Sequence, residues 1–133
     1  MVAGIGLAHA SLNSASIRDG QTIQTMPKSI KLEFSEALEL GFSTFKLIAL
    51  DSKVSDRKAA NTAANALVGR VLGLQNNGVA RADDGLLTRT PIAAHVEVKL
   101  KPKLPAGWYV MIWKVLSIDS HISDDFFVFE YRP

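Results

Sequence analysis

The sequence predicts an all-β protein, an antiparallel sandwich of Greek-key type, and three observations carry that prediction. Apolar and polar residues alternate with a period of two in several separate segments, as half-buried strands require. Gly, Pro, Asn and Asp punctuate the chain between those segments. Helical periodicity is scarce. Short strands divided by turns in this way suit two sheets packed face to face.

Taken in order, Ile30, Leu32 and Phe34 alternate with Lys31, Glu33 and Ser35. Phe45, Leu47 and Ala49 form a second apolar face, and Val96, Val98 and Leu100 alternate with Glu97, Lys99 and Lys101 in the most regular strand. Residues 108–116 are apolar apart from Lys114, as expected of a central strand covered on both faces. Phe127, Phe129 and Tyr131 mark the last strand. Turn signals fall at Asp19-Gly20, Pro27, Gly41, Asn77-Gly78, Asp84-Gly85 and Pro105-Ala106-Gly107. Residues 52–93 break the rhythm and form an atypical central insertion. Within it, residues 56–67 are rich in Ala and Asn and predict a short helix capped by Ser55 or Asp56. Residues 68–74 predict a strand and residues 76–84 a turn.

Composition narrows the function classes. A chain of 133 residues fits one domain and can bury a core without covalent staples. Cysteine is absent, which excludes disulfides, zinc fingers, thiolate copper sites, iron–sulfur clusters and cysteine nucleophiles. Fifteen Lys and Arg against 13 Asp and Glu, dispersed along the chain, leave a net charge of +2, which is no nucleic-acid footprint. A hydrophobic fraction of 47% with 21% charged residues is ordinary for a globular protein and argues against disorder. No run of about 18 apolar residues exists to span a membrane.

Val2 to Ala8 are small, apolar and uncharged. They resemble the tail of a secretory signal peptide, which makes residues 1–8 a signal remnant and 9–133 the mature domain. An ordinary apolar N-terminal segment is the alternative. Two cleavage sites satisfy the small-residue rule: Gly6-Leu7-Ala8, which frees His9, and Ala8-His9-Ala10, which frees Ser11.

With no thiol available, the histidines bound any borderline metal site, and there are three: His9, His95 and His121. His95 shares a strand with the polar-facing Glu97 and is expected to face solvent. Asp119-Ser120-His121 follows the most apolar strand, and its i, i+2 spacing can place carboxylate and imidazole on one side of an extended segment. A polar turn leaving a sheet explains the same tripeptide. Glu36 continues the inward parity of Ile30, Leu32 and Phe34, so either the strand ends or bulges at Ser35-Glu36, or a carboxylate is held at the core edge.

Together and in order, these pieces resemble the CopC/PcoC family of periplasmic copper-binding proteins. The matching elements are His9-Ala10-Ser11-Leu12, the turns at Asp19-Gly20 and Pro27-Lys28, and the alternation ending in Phe34-Ser35-Glu36. The most specific block runs from Leu104-Pro105-Ala106-Gly107-Trp108-Tyr109-Val110 through Trp113-Lys114-Val115 to Ser117, Asp119 and His121, and the terminal aromatic alternation follows. Residues 52–93 lie outside the match. The resemblance implies an immunoglobulin-like β-sandwich of about seven strands. It also implies a Cu(II) site at one end, formed by His9, Asp119 and His121, with Glu36 at or near the metal.

Cu(II) favours tetragonal nitrogen and oxygen donors, which two imidazoles, an amine and a carboxylate supply. A terminal histidine chelates through its α-amine and Nδ1, displacing a proton near neutral pH. The sequence departs from the family pattern at Ser11, where a second histidine is usual, at Ile122, where proline is usual, and at Asp124-Asp125, which either add negative potential near the metal or, the favoured reading, solvate a turn. The methionine-rich Cu(I) site of some members is missing, and Met111 falls in a core-like strand.

The function so implied is periplasmic Cu(II) binding, for buffering or delivery of copper in homeostasis and resistance, possible partners including a membrane copper transporter of the CopD type. The alternative is an interaction module without a working metal site, docking on an envelope or membrane partner. Terminal-histidine copper sites also occur in polysaccharide oxygenases, but Asp119 in a coordination position and the lack of an aromatic binding strip argue against an enzyme. No Ser-His-Asp arrangement, phosphate loop or paired-carboxylate motif competes.

Overall fold

In the computed structural model, which describes residues 10–73 and 79–133, the alternating segments become strands that each bury a face in one core. Strands β1 (Leu12–Ala15) and β2 (Thr22–Ile23) are short, and β3 (Ser29–Glu39) leads through a 3-10 turn (Leu40–Phe42) into β4 (Thr44–Ala49). Helix α1 (Arg57–Gly73) precedes β5 (Asp83–Leu86), β6 (Ile92–Leu100), β7 (Gly107–Leu116) and β8 (Ile122–Tyr131). The described residues form two four-stranded sheets, in the orders β1-β3-β6-β5 and β2-β8-β7-β4. The predicted sandwich is present, with eight described strands for the seven or so expected. One pairing departs from the antiparallel expectation, because β2 runs parallel to β8.

The main core lies between the sheets. Ile30, Leu32, Phe34, Val96 and Val98 from one face meet Phe45, Leu47, Tyr109, Met111, Trp113, Phe127 and Phe129 from the other. Phe34 stands edge-on to Trp113, with centroids 5.7 Å apart and planes at 82°, a favoured arrangement of ring quadrupoles. Tyr109 stacks on Phe129 and donates its hydroxyl proton to the Pro105 carbonyl. Burial, reinforced by the nearby Tyr131, pushes that phenol up to about 12.

The continuous apolar character of β7 has a direct cause. Its other face, Trp108, Val110 and Ile112, is covered by α1 together with Ile48 and Val128. Ala60, Ala64 and Val71 of the helix are fully buried there, with Leu67 partly buried on the same stripe. The spacing 60, 64, 67, 71 is a helical face. Asp56 caps the helix as expected, its carboxylate accepting from Ala59 N at 2.8 Å. At the other end Lys46 Nζ donates to the Val71 carbonyl at 2.9 Å.

Two expectations for the insertion need correction. Residues 68–73, predicted as strand, are the last turns of α1, because Val71 completes the stripe begun by two alanines. Asp84-Gly85, predicted as a turn, lies inside β5, where Gly85 adopts φ +86° and the pairing with β6 shifts register. Asn77-Gly78 lies outside the described residues. Asp83 beside this bulge is buried. Its carboxylate accepts from Leu47 N at 2.9 Å and Gly85 N at 3.0 Å and pairs with Arg81 at 2.6 Å, joining β4 of one sheet to β5 of the other.

Candidate metal centre

Ser117 carries on the inward parity of Tyr109, Met111, Trp113 and Val115, and it is fully buried at the end of β7. There the chain reverses. Ser120 N donates to the Ser117 carbonyl and Ser117 N to the His121 carbonyl, each at 2.9 Å, with Ser120 in the left-handed region at φ 73°. Asp119-Ser120-His121 is therefore a tight turn and not an extended segment. That turn, rather than strand pleating, brings the carboxylate and the imidazole together.

The buried Ser117 hydroxyl organises the pair. It donates to Asp119 Oδ1 and accepts from His121 N at 3.3 Å. Asp119 Oδ2 lies 3.5 Å from His121 Nδ1, with both side chains 39% exposed. The Ser117 hydrogen bond holds the Asp119 carboxyl below the usual carboxylate range, and the positive charge of His121 pulls the same way. Ile118 N donates to the Ala37 carbonyl at 3.1 Å and Ser117 bridges Leu38, which pins the turn against β3.

Glu36 sits in β3 beside that pin. The strand does not end there. Its pairing with β6 jumps from Glu33–His95 to Leu38–Ala93, so three extra residues bulge out and leave Glu36 half-buried. Among the described residues no three His, Asp or Glu side chains gather closely enough to hold one ion. The structure thus joins Asp119 to His121 and leaves Glu36 out of a three-ligand cluster.

His9 lies outside the described residues. The next residue, Ala10, is buried, and its carbonyl accepts from Ser123 Oγ at 3.0 Å, two positions beyond His121. Ser11 bonds to Ser35: Ser11 N donates to Ser35 Oγ at 3.0 Å and Ser35 N to the Ser11 carbonyl at 2.8 Å. A cleft of about 390 Å³ opens here between Ala10, Trp113, Asp124 and Asp125. Asp124 and Asp125 belong to β8, opposite Lys114 and Trp113, and not to the turn the sequence suggested. His95 faces solvent as expected, 3.4 Å from Glu33, and Met111 is in the core.

Sequence reasoning gave no role to Ser117 or Ser123. The signal for Ser117 was a hydroxyl at an inward position directly after four inward apolar residues, which demands a polar partner. Nothing in the sequence marked Ser123.

A family model described as the CopC domain matches residues 12–132. A search of curated proteins by sequence found no match. Among solved structures, CopC from Methylosinus trichosporium OB3b superposes with a TM-score of 0.64 at 21% identity, over 94% of this chain and 95% of that one. PcoC, described as a methionine-rich copper resistance protein from Escherichia coli, superposes with a TM-score of 0.63 at 22% identity, over 94% of this chain and 100% of that one. A selenomethionine form of PcoC gives a TM-score of 0.62 at 22% identity, over 92% and 99%. All three share the fold of this chain.

Proposed function

The chain belongs to the CopC domain family, and from that membership we propose that it is a non-catalytic copper resistance protein that binds Cu(II) in the periplasm. The ligands in this reading are His9 through its amine and imidazole, Asp119 and His121, with Glu36 alongside. One observation carries it: Asp119 and His121 stand together at the pole where Ser123 anchors Ala10. These two described donors are one oxygen and one nitrogen, and tetragonal Cu(II) takes further nitrogen donors. A residue joined to Ala10 begins one peptide link, about 3.8 Å between Cα atoms, from that anchor. Removal of residues 1–8 as a signal remnant frees the amine that completes the chelate. Delivery to a membrane transporter of the CopD type fits a chain whose described helix is not long and apolar enough to cross a bilayer.

The test compares three proteins: one beginning at His9, one beginning at Ser11, and the first with His121→Ala. Each is titrated with Cu(II), followed by electron paramagnetic resonance and by the fluorescence of Trp113, which lines the cleft beside Ala10. The protein beginning at His9 saturates at one equivalent, and either change weakens binding by about tenfold or more. Equal binding by all three proteins overturns the ligand set. No copper retained on dialysis by any of them leaves only the interaction-module reading.

A further inference from the structure

Lysines dispersed in the sequence converge at one pole of the fold. Lys28 precedes β3, Lys99 lies near the end of β6, and Lys101 and Lys103 follow in the loop to β7. The backbone fixes this convergence: Leu100 N donates to the Lys28 carbonyl and Lys101 N to the Ala82 carbonyl, each at 2.9 Å, while Lys99 pairs with Ser29. All four lysines are exposed and line a single concavity of about 600 Å³, which holds one carboxylate, Asp84. Among the described residues none of the four is in an ion pair. The concavity also has apolar walls, from the partly buried Met26, Leu104 and Tyr131. Lys103 is held at φ 59°, a conformation that a non-glycine residue adopts at a cost.

Four unneutralised cations around one hollow repel one another, and the fold supplies a single carboxylate against them. We infer that this pole docks an acidic segment of a protein partner, its carboxylates meeting the lysines and an apolar side chain entering the hollow. A bilayer surface would meet the rim lysines but leave the recessed apolar walls unfilled, so the concavity favours a peptide over anionic lipid. β7 spans ten residues, about 30 Å at 3.3 Å per residue, between this pole and the Asp119–His121 turn. A partner seated here leaves the opposite pole open, and the inference does not depend on copper binding.

Titrating the ¹⁵N-labelled protein with an acetylated hexapeptide of alternating Glu and Leu tests this. Amide shifts should move at Lys28, Lys99, Lys101, Lys103 and Tyr131 and stay fixed around Asp119. The double variant Lys99→Glu, Lys101→Glu should weaken binding about tenfold, and so should about 0.5 M salt. The milder Lys101→Gln, Lys103→Gln variant serves if the charge reversal impairs folding. The inference fails if no shifts occur, if the Lys-for-Glu peptide binds equally, or if the variants bind as the parent does. Co-sedimentation with phosphatidylglycerol vesicles without peptide-induced shifts would also overturn it, in favour of a membrane face.

Discussion

The outer faces of the two sheets meet their surroundings differently. On β3 and β6 the outward positions are Lys31, Glu33, His95 and Glu97, and water covers them. On β7 and β8 the outward positions include Trp108, Val110, Ile112 and Val128, and α1 covers them. The covered hairpin is also the more regular. β7 and β8 pair without interruption from Gly107–Tyr131 to Leu116–Ile122, whereas the β3–β6 ladder is broken at the Glu36 bulge. The Asp119–His121 turn closes the covered hairpin, so the paired ligand candidates hang from an uninterrupted ladder. Glu36, on the open sheet, sits where the backbone is irregular.

The sharpest way to break this contrast is to place a charge under the helix. Ala64→Asp buries a carboxylate against an apolar surface that offers no partner, and it should cost about 4 kcal/mol. That is a large share of the 5–15 kcal/mol typical of a domain. His95→Ala on the water-covered face should change stability by less than about 0.5 kcal/mol, since its contact with Glu33 is exposed. Urea denaturation of both variants checks the pair, and similar midpoints would refute the covering role of α1.

A smaller effect is expected where the two sheets are stitched together. Asp83→Asn removes the buried charge facing Arg81 and turns an amide toward N–H groups that now donate to a carboxylate. The loss should be about 3 kcal/mol. Hydrogen exchange should show β4 and β5 opening before the β7–β8 hairpin. Uniform loss of protection across both sheets would mean that Asp83 is not the stitch.

What the sequence disclosed follows the same division. Alternation showed one-sided strands such as 30–35 and 96–101, and an unbroken apolar run correctly implied two-sided cover for β7. The cover itself was hidden because Ala60 and Ala64 are too small to produce a strong periodic signal, while Val68, Val71 and Leu72 imitate a strand. The edge strands β1 and β2, four and two residues long, are too short to show alternation. At the candidate site, Asp119 and His121 were visible as residue types at a suggestive spacing. Their conformation was not, since it depends on a left-handed Ser120 and on a buried hydroxyl two residues away. The gathering of four lysines was invisible because strand register, not sequence proximity, brings residue 28 beside residue 99.

The smallest loss expected at a buried position is the most informative about the site. Ser117→Ala deletes the hydroxyl that donates to Asp119 and accepts from His121 N, and should cost about 1–2 kcal/mol. Its signature lies in the pH dependence. In the parent, Asp119 titrates below the ordinary carboxylate range, so its contribution is fully present above the unfolded value of about 3.9 and disappears as pH falls through the depressed folded value. Without Ser117 that value should rise toward normal, leaving the charge of His121 and the backbone N–H groups of His121 and Asp119 to lower it. The stability gap between parent and variant should therefore hold from pH 7 to about pH 4 and narrow in stronger acid. A ¹³C titration of the Asp119 carboxyl reads the shift directly. If Ser117→Ala leaves that midpoint unchanged, the pairing of Asp119 with His121 is set by the turn backbone and not by the buried hydroxyl. If the midpoint rises and Cu(II) affinity falls about tenfold with it, Ser117 is the group that positions the ligand.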